Sequence, residues 1–288
     1  MRTKVALGGP RVGILETALH IDFFPVRIYF NIRTLQKKIL IRSALFHKEV
    51  VMKCVSSLVC ALLAWGASAQ TSTAPLNAEE SAVVRSLLDS AGNKDVTVES
   101  VTQIDPEGRI TSLDLHNQDV NKPGIAALTA DIGKLTHLQT LLLGNNSLTS
   151  LPEEIGNLTA LKFMDLKYNS FTELPAVIGK LSQLERLDAR FNQLSSFPYE
   201  FFKLTKLNWL QLWGNQFKML PEDIVKLVSL RELYMNRNKL IDFPKGIMKM
   251  KSLKYIDFQD NQLCNVSPEV AAWLKKKDEQ WKAKQTCN

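Results

Sequence analysis

From residue 138 to residue 273 the apolar positions of this chain recur with a fixed period of 23 residues. Copies open at Leu138, Leu161, Leu184, Leu207, Leu230 and Leu253, and the first reads LQTLLLGNNSLTSLPEEIGNLTA. In that copy Leu138, Leu141, Leu143, Leu148, Leu151, Ile155 and Leu158 carry the apolar pattern, and the next repeats it with Leu161, Met164, Leu166, Phe171, Leu174, Ile178 and Leu181. The alternation through Leu141 and Leu143 predicts a short strand with one face inward. The residues between fixed positions change freely. Constant period with variable filler predicts a solenoid in which one coil has too little core to fold alone and stacking on its neighbours supplies the rest.

The ninth residue of every copy is asparagine: Asn146, Asn169, Asn192, Asn215, Asn238 and Asn261. The chain turns inward there and buries backbone N–H and C=O groups. A primary amide both donates and accepts, so these six are read as a structural ladder between coils. Leu151-Pro152, Leu174-Pro175, Phe197-Pro198, Leu220-Pro221 and Phe243-Pro244 then open a short helical turn on the outer side. The last copy departs with Val266-Ser267-Pro268, where Ser267 caps a helix read over 268–284. Val270 and Trp273 keep core positions of the grid, and Leu274 and Trp281 extend the apolar side.

Upstream, Asn77 and Glu80 have capping-box spacing, and Val83, Val84, Leu87 and Leu88 recur at helical intervals. A helix over about 78–90 and an extended segment at 96–101 are expected to cover the first coil, whose apolar end is otherwise open. Residues from Ile110 form a degenerate first repeat of 28 residues, with Gln118 in place of the asparagine and a Pro123-Gly124 turn in the excess.

With its L-x-x-L-x-L-x-x-N core followed by LPxxI, this stretch resembles the leucine-rich repeat superfamily. It is most similar to the repeats of Ras-suppressor and Scribble-type proteins and plant Ras-group leucine-rich repeat proteins. The resemblance covers residues 110–273 and implies an α/β fold: a right-handed solenoid with a parallel concave sheet, convex helical or 3-10 turns and helical caps at both ends. It also implies a binding surface on the concave face. Ala189, where a larger residue is usual, suggests local looseness.

The N-terminus changes the charge balance. From Met52 the chain reads MKCVSSLVCALLAWGASAQ, a lysine, an apolar run and a small-residue cleavage site before Gln70. That is a signal peptide at 52–69, too short to span a bilayer. Residues 1–51 are then an over-extended start or a basic leader outside the fold. The expected division continues as a linker and capping helix at 70–109, repeats at 110–266 and a C-terminal cap and tail at 267–288. The whole chain has 36 basic and 29 acidic residues; residues 1–69 hold 10 and 3 of these, which leaves 26 of each. The basic balance of the full sequence therefore carries no nucleic-acid footprint. The expectation is a secreted, periplasmic or extracellular protein with no stable membrane span once the signal is removed. In that setting Cys264 and Cys287 are read as a disulfide.

Positions three, five, seven and eight of each copy face the concave side or its edge, so candidate contacts sit there. Phe163, Tyr168, Arg186, Arg190, Phe191, Trp209, Trp213, Glu232, Tyr234, Arg237 and Tyr255 make an aromatic strip with arginines among the rings, the composition of a protein-binding centre. A protein ligand through this face is the main reading. The alternative is a carbohydrate or cell-wall glycan stacked on exposed Trp and Tyr, or a structural, adhesive role. Packing of the rings on one another and on strand backbone is the bland explanation. Asp114, Asp165, Asp188 and Asp257 share position five, where a calcium site or acid–base pair competes with ordinary ion pairing to Lys167, Arg186 and Arg190. With no metal-ligand spacing, phosphate loop or nucleophile–base set, no cofactor or enzymatic activity is expected.

Overall fold

The computed structural model describes residues 20–23, 26–29, 74–117, 124–279, 281–282 and 284–287. The chain divides into two units, residues 1–71 and 72–288. In the first, strands β1 (His20–Phe23) and β2 (Val26–Tyr29) pair antiparallel. The segment read as a signal peptide and the Gln118 and Pro123 region of the degenerate repeat lie outside the described residues.

The second unit is a right-handed solenoid. It starts with helices α1 (Ala78–Ser90) and α2 (Val98–Val101), followed by strands β3 (Thr102–Ile104) and β4 (Ile110–Asp114). Each regular copy then adds one three-residue strand: β5 (Thr140–Leu142), β6 (Phe163–Asp165), β7 (Arg186–Asp188), β8 (Trp209–Gln211), β9 (Glu232–Tyr234) and β10 (Tyr255–Asp257). Helix α3 (Pro268–Lys277) follows. The strands lie side by side in chain order in one eight-stranded sheet, with β3 antiparallel to β4 and all later pairs parallel. Register advances by one copy per coil, so Phe163 pairs with Arg186 and Arg186 with Trp209. The grid read from the apolar pattern is thus the register of the sheet.

Each coil is filled as the pattern requires. Leu138, Leu141, Leu143, Leu148, Ile155 and Leu158 are wholly buried, and so are Leu161, Met164, Leu166, Phe171, Ile178 and Leu181. Ala189 does not loosen its coil. It is wholly buried, and the same coil carries Phe197 and Phe201, their rings 4.6 Å apart. Phe217 of the next coil packs 4.7 Å from Phe197, so the coil has an aromatic core. On the outer side each proline caps a five-residue 3-10 turn, and its carbonyl accepts the N–H of the buried residue three positions on, as Pro152 does from Ile155 at 3.1 Å and Pro198 from Phe201 at 3.0 Å.

The asparagine ladder ties one coil to the next. The Asn192 side-chain oxygen accepts the Phe171 N–H at 3.0 Å, and its nitrogen donates to Leu166 C=O at 3.0 Å and Ala189 C=O at 3.2 Å. Asn169, Asn215, Asn238 and Asn261 make the same set one coil apart.

Both ends of the stack are closed by groups that stand in for absent coils. At the N-terminus Asn77 caps α1, accepting from the N–H groups of Glu79 and Glu80 at 3.1 Å. Glu80 does not complete a capping box. Its carboxylate crosses to β4, accepting the Ile110 N–H and Arg109 Nε, each at 2.6 Å. The expected extended segment at 96–101 is largely helix α2, capped by Thr97, and the strand begins only at Thr102.

At the C-terminus Ser267 caps α3, which ends at Lys277 rather than continuing to 284. Leu274 and Trp281 are buried, whereas Trp273, expected in the core, is half-buried against it. The tail then copies a repeat. Gln285 accepts the Leu263 N–H at 3.2 Å and donates to Phe258 C=O at 3.1 Å, the two roles of a ladder asparagine. Lys284 C=O accepts the Asp260 N–H at 2.8 Å, as a following coil would. Cys264 and Cys287 are joined by a disulfide, with Cα atoms 5.8 Å apart, and this pins the tail in place.

Candidate concave binding face

The sheet presents positions three and five outward, and the turn after it presents seven and eight. Its rings fall into two clusters. Across the strands, Arg186 lies between Phe163 and Trp209, its guanidinium carbon 5.0 Å and 4.8 Å from the two ring centres. Those rings meet edge to face at 6.5 Å. The guanidinium sits in the corner that the two rings make, a cation–π cluster built from three consecutive strands at position three, and this holds a flexible arginine in one place. Along the edge, Tyr168 stacks on Phe191 at 4.4 Å and 17°, and Phe191 leans on Trp213 at 4.4 Å and 55°. Arg190 and Arg237 approach Trp213 at 5.9 Å and 5.5 Å. Most of these rings are half-buried; Tyr168 and Tyr255 are the exposed ones, at 46% and 61%. Expected packing of ring on ring and solvent-facing aromatic surface therefore coexist.

The turn has a geometry that the spacing did not reveal. The backbone is left-handed at position eight in all six regular copies, at Asn145, Tyr168, Phe191, Gly214, Arg237 and Asp260. Aspartates at position five brace it: Asp114, Asp165, Asp188 and Asp257 each accept the N–H two residues on, at 2.9–3.2 Å. Gly214 follows from its neighbour, since a Cβ there would stand 2.7 Å from the Phe191 ring.

The same aspartates settle the charge question. Asp165 and Asp188, expected on the open face, are buried beneath Lys167 and Arg190. Lys167 Nζ lies 2.8 Å from Asp165, and Arg190 Nε lies 3.1 Å from Asp188 without the alignment of a hydrogen bond. Arg237 pairs with Asp260 at 3.6 Å, and Glu232 accepts the Tyr234 hydroxyl at 2.8 Å. Three ionic pairs of the face, Lys167–Asp165, Arg190–Asp188 and Arg237–Asp260, are thus closed within it. Among the described residues no group of three or more His, Cys, Asp and Glu is placed to hold a metal ion.

Burial pushes the Asp188 carboxyl up to about 6, and the charge of Asp165 on the adjacent strand adds to it. Burial first, and then the bond to Glu232, raises the Tyr234 phenol to about 12. A carboxyl whose folded pKa exceeds its unfolded value binds its proton more tightly in the fold. Asp188 therefore lowers stability as pH rises from about 4 to about 6, and the loss is complete above that window. Asp188→Asn keeps the acceptor for the Arg190 N–H and removes the titration. It is expected to reduce the fall in stability between pH 4 and pH 7 by about 1–2 kcal/mol, read by urea denaturation at both pH values. An unchanged pH profile in the variant would show that Asp188 is not responsible.

A family model described as a leucine-rich repeat region matches residues 113–195. A search of curated proteins finds no match. Among solved structures, the chain is similar to a leucine-rich repeat protein of Leptospira interrogans at 34% identity, over 56% of this chain and 45% of that one, with TM-score 0.44. A plant ice-binding protein shares 23% identity over 65% of this chain and 64% of its own, with TM-score 0.56. A TDR receptor shares 31% over 53% of this chain and 27% of its own, with TM-score 0.46. The chain spans less than two thirds of each of these structures. Residues 113–195 match the repeat model and the parallel sheet carries the same period to Tyr255: this chain holds a solenoid domain of the leucine-rich repeat superfamily, related to other leucine-rich repeat proteins.

Proposed function

We propose that the domain is a non-catalytic binding module whose concave face takes a neutral glycan chain. The observation that carries this is the combination of partly exposed rings with Lys167, Arg190 and Arg237 each paired to a carboxylate in place. Phe163, Trp209, Tyr234 and Tyr255 span four strand steps, roughly 20 Å at about 4.8 Å per step. That is the length of a short run of sugar rings. Gln211, Asn236 and Gln259 stand among them with amides able to donate to and accept from hydroxyls. A neutral polyol does not require the Lys167–Asp165 or Arg190–Asp188 pair to open. The plant ice-binding protein supports the fold's use for a non-protein ligand, on fold likeness alone.

A protein partner is the second reading, favoured by the Arg186 cluster. Its guanidinium is held against both Phe163 and Trp209, the arrangement of an anchor that loses little entropy on binding. Calorimetric titration with cellohexaose, mannohexaose and chitohexaose separates the two. Binding of one oligosaccharide, weakened about 30-fold by Trp209→Ala, is the expected result, a loss of about 2 kcal/mol. No binding of any, with a protein captured by the wild type and lost from Trp209→Ala, selects the second reading.

We further propose that the repeats belong to the Ras-suppressor-like subtype and that the boundaries are those read from the sequence, with export directed by residues 52–69. No helix among the described residues is long and apolar enough to cross a membrane. The Cys264–Cys287 disulfide fits an oxidising compartment. N-terminal sequencing of the exported protein is expected to start at Gln70; retention of residues 1–51 would contradict it.

A further inference from the structure

Position eight imposes a left-handed backbone that suits asparagine and glycine and is adverse to bulky side chains. Asn145 and Gly214 meet that demand, yet the two coils between them carry Tyr168 at φ 52° and Phe191 at φ 51°. The strain is not relieved by burial, because Tyr168 is 46% exposed and Phe191 is half-buried. What the two residues gain is a row of rings ordered along the edge of the sheet. Trp213, with Arg190 and Arg237 nearby, closes one end of that row. Tyr168 ends the other, stacked on Phe191 and 46% exposed.

The next residue in the row beyond Tyr168 is Asn145, whose amide nitrogen lies 2.7 Å from His116 Nε2. Gly144 beside it has no side chain, and the Lys167 stem lies across that space on its way to Asp165. The exposed phenol ring therefore stands one coil from the Asn145 amide, which is in turn bonded to the His116 imidazole of the coil before. A pyranose offers the complement, an apolar C–H face for the ring and hydroxyls for the polar pair. We propose that Tyr168, Asn145 and His116 form a monosaccharide subsite, and that position eight holds strained aromatic residues there for ligand contact and not for stability. This rests on the glycan reading of the concave face and assigns its N-terminal end.

Tyr168→Asn tests it, because asparagine tolerates the backbone and lacks the ring. The melting temperature is expected to hold or rise by about 2–4 °C, while the Kd for the oligosaccharide that binds the wild type rises at least about 10-fold, a free-energy change of roughly 1.4 kcal/mol. Tyr168→Phe should keep the affinity within about 3-fold, since the ring remains. A fall in melting temperature for Tyr168→Asn would overturn the inference, because the ring would then be packing. Unchanged affinity in Tyr168→Asn with a loss in Trp209→Ala would overturn the subsite alone and leave the glycan face standing. A wild type that binds none of cellohexaose, mannohexaose and chitohexaose overturns both.

Discussion

Asn192→Ala is expected to destabilise the domain by about 3–4 kcal/mol, measured by urea denaturation at neutral pH. The figure follows from what the amide leaves behind. The Phe171 N–H is buried and loses its partner outright, and an orphaned buried donor costs about 1–3 kcal/mol. The carbonyls fare better. Leu166 C=O still accepts from Asn169, and Ala189 C=O still accepts from Asn215, so each loses one of two bonds, worth about 0.5–1.5 kcal/mol. Asn192→Asp keeps an acceptor for Phe171 and removes both donors, and it should also destabilise. Asn146→Ala is expected to be milder, at about 1–2 kcal/mol, because water can reach that half-buried site. Equal effects at the two positions would mean that burial does not set the worth of the ladder.

Glu80→Ala is expected to lower stability by about 2–4 kcal/mol in the same measurement. Glu80 is nearly inaccessible, and its carboxylate serves both the Ile110 N–H and the Arg109 guanidinium. Its removal leaves a buried donor at β4, the strand of the degenerate first repeat, and an arginine without its anion. The arginine is one-third exposed, so water recovers part of the loss and the upper limit for a buried pair is not reached. Glu80→Gln retains one acceptor for Ile110 and should fall about halfway between, at roughly 1–2 kcal/mol. A neutral Glu80→Ala would show that α1 is held to the sheet by Val83, Val84, Leu87 and Leu88 alone.

These two residues also mark where sequence and structure part. The ladder was legible because Asn146 to Asn261 repeat in fixed register, and the solenoid allows one stacking geometry for such a period. Strands, turns and inward leucines were legible for the same reason, and the Cys264–Cys287 clip was legible from the export signal and the two cysteines that remain after it. Glu80 was not. Its spacing from Asn77 satisfies a local motif, and only tertiary packing shows that the carboxylate reaches Ile110 instead. Gln285 is a similar case, since nothing in the tail repeats the 23-residue grid, yet its amide takes the place of a seventh asparagine.

The candidate site was legible as a list of positions and not as an arrangement. The period placed Phe163, Arg186 and Trp209 in one column, and the sheet keeps them there. It did not show that the Arg186 guanidinium packs against both rings. It did not show that Asp165 and Asp188 lie under Lys167 and Arg190, because solvent access depends on how long side chains fold over short ones. The left-handed turn under Tyr168 and Phe191 was signalled only indirectly, by Asn145 and Gly214 at the same position of other copies.

The most direct test of the concave glycan face is a titration of the indole N–H resonances with cellohexaose, mannohexaose and chitohexaose. Trp209 and Trp213 lie on that face, and Trp273 and Trp281 lie in the C-terminal cap. Saturable shifts of the first two with one of the oligosaccharides, the cap resonances unmoved, are the expected result. Shifts confined to Trp273 or Trp281, or no shift of any indole with all three, would contradict it.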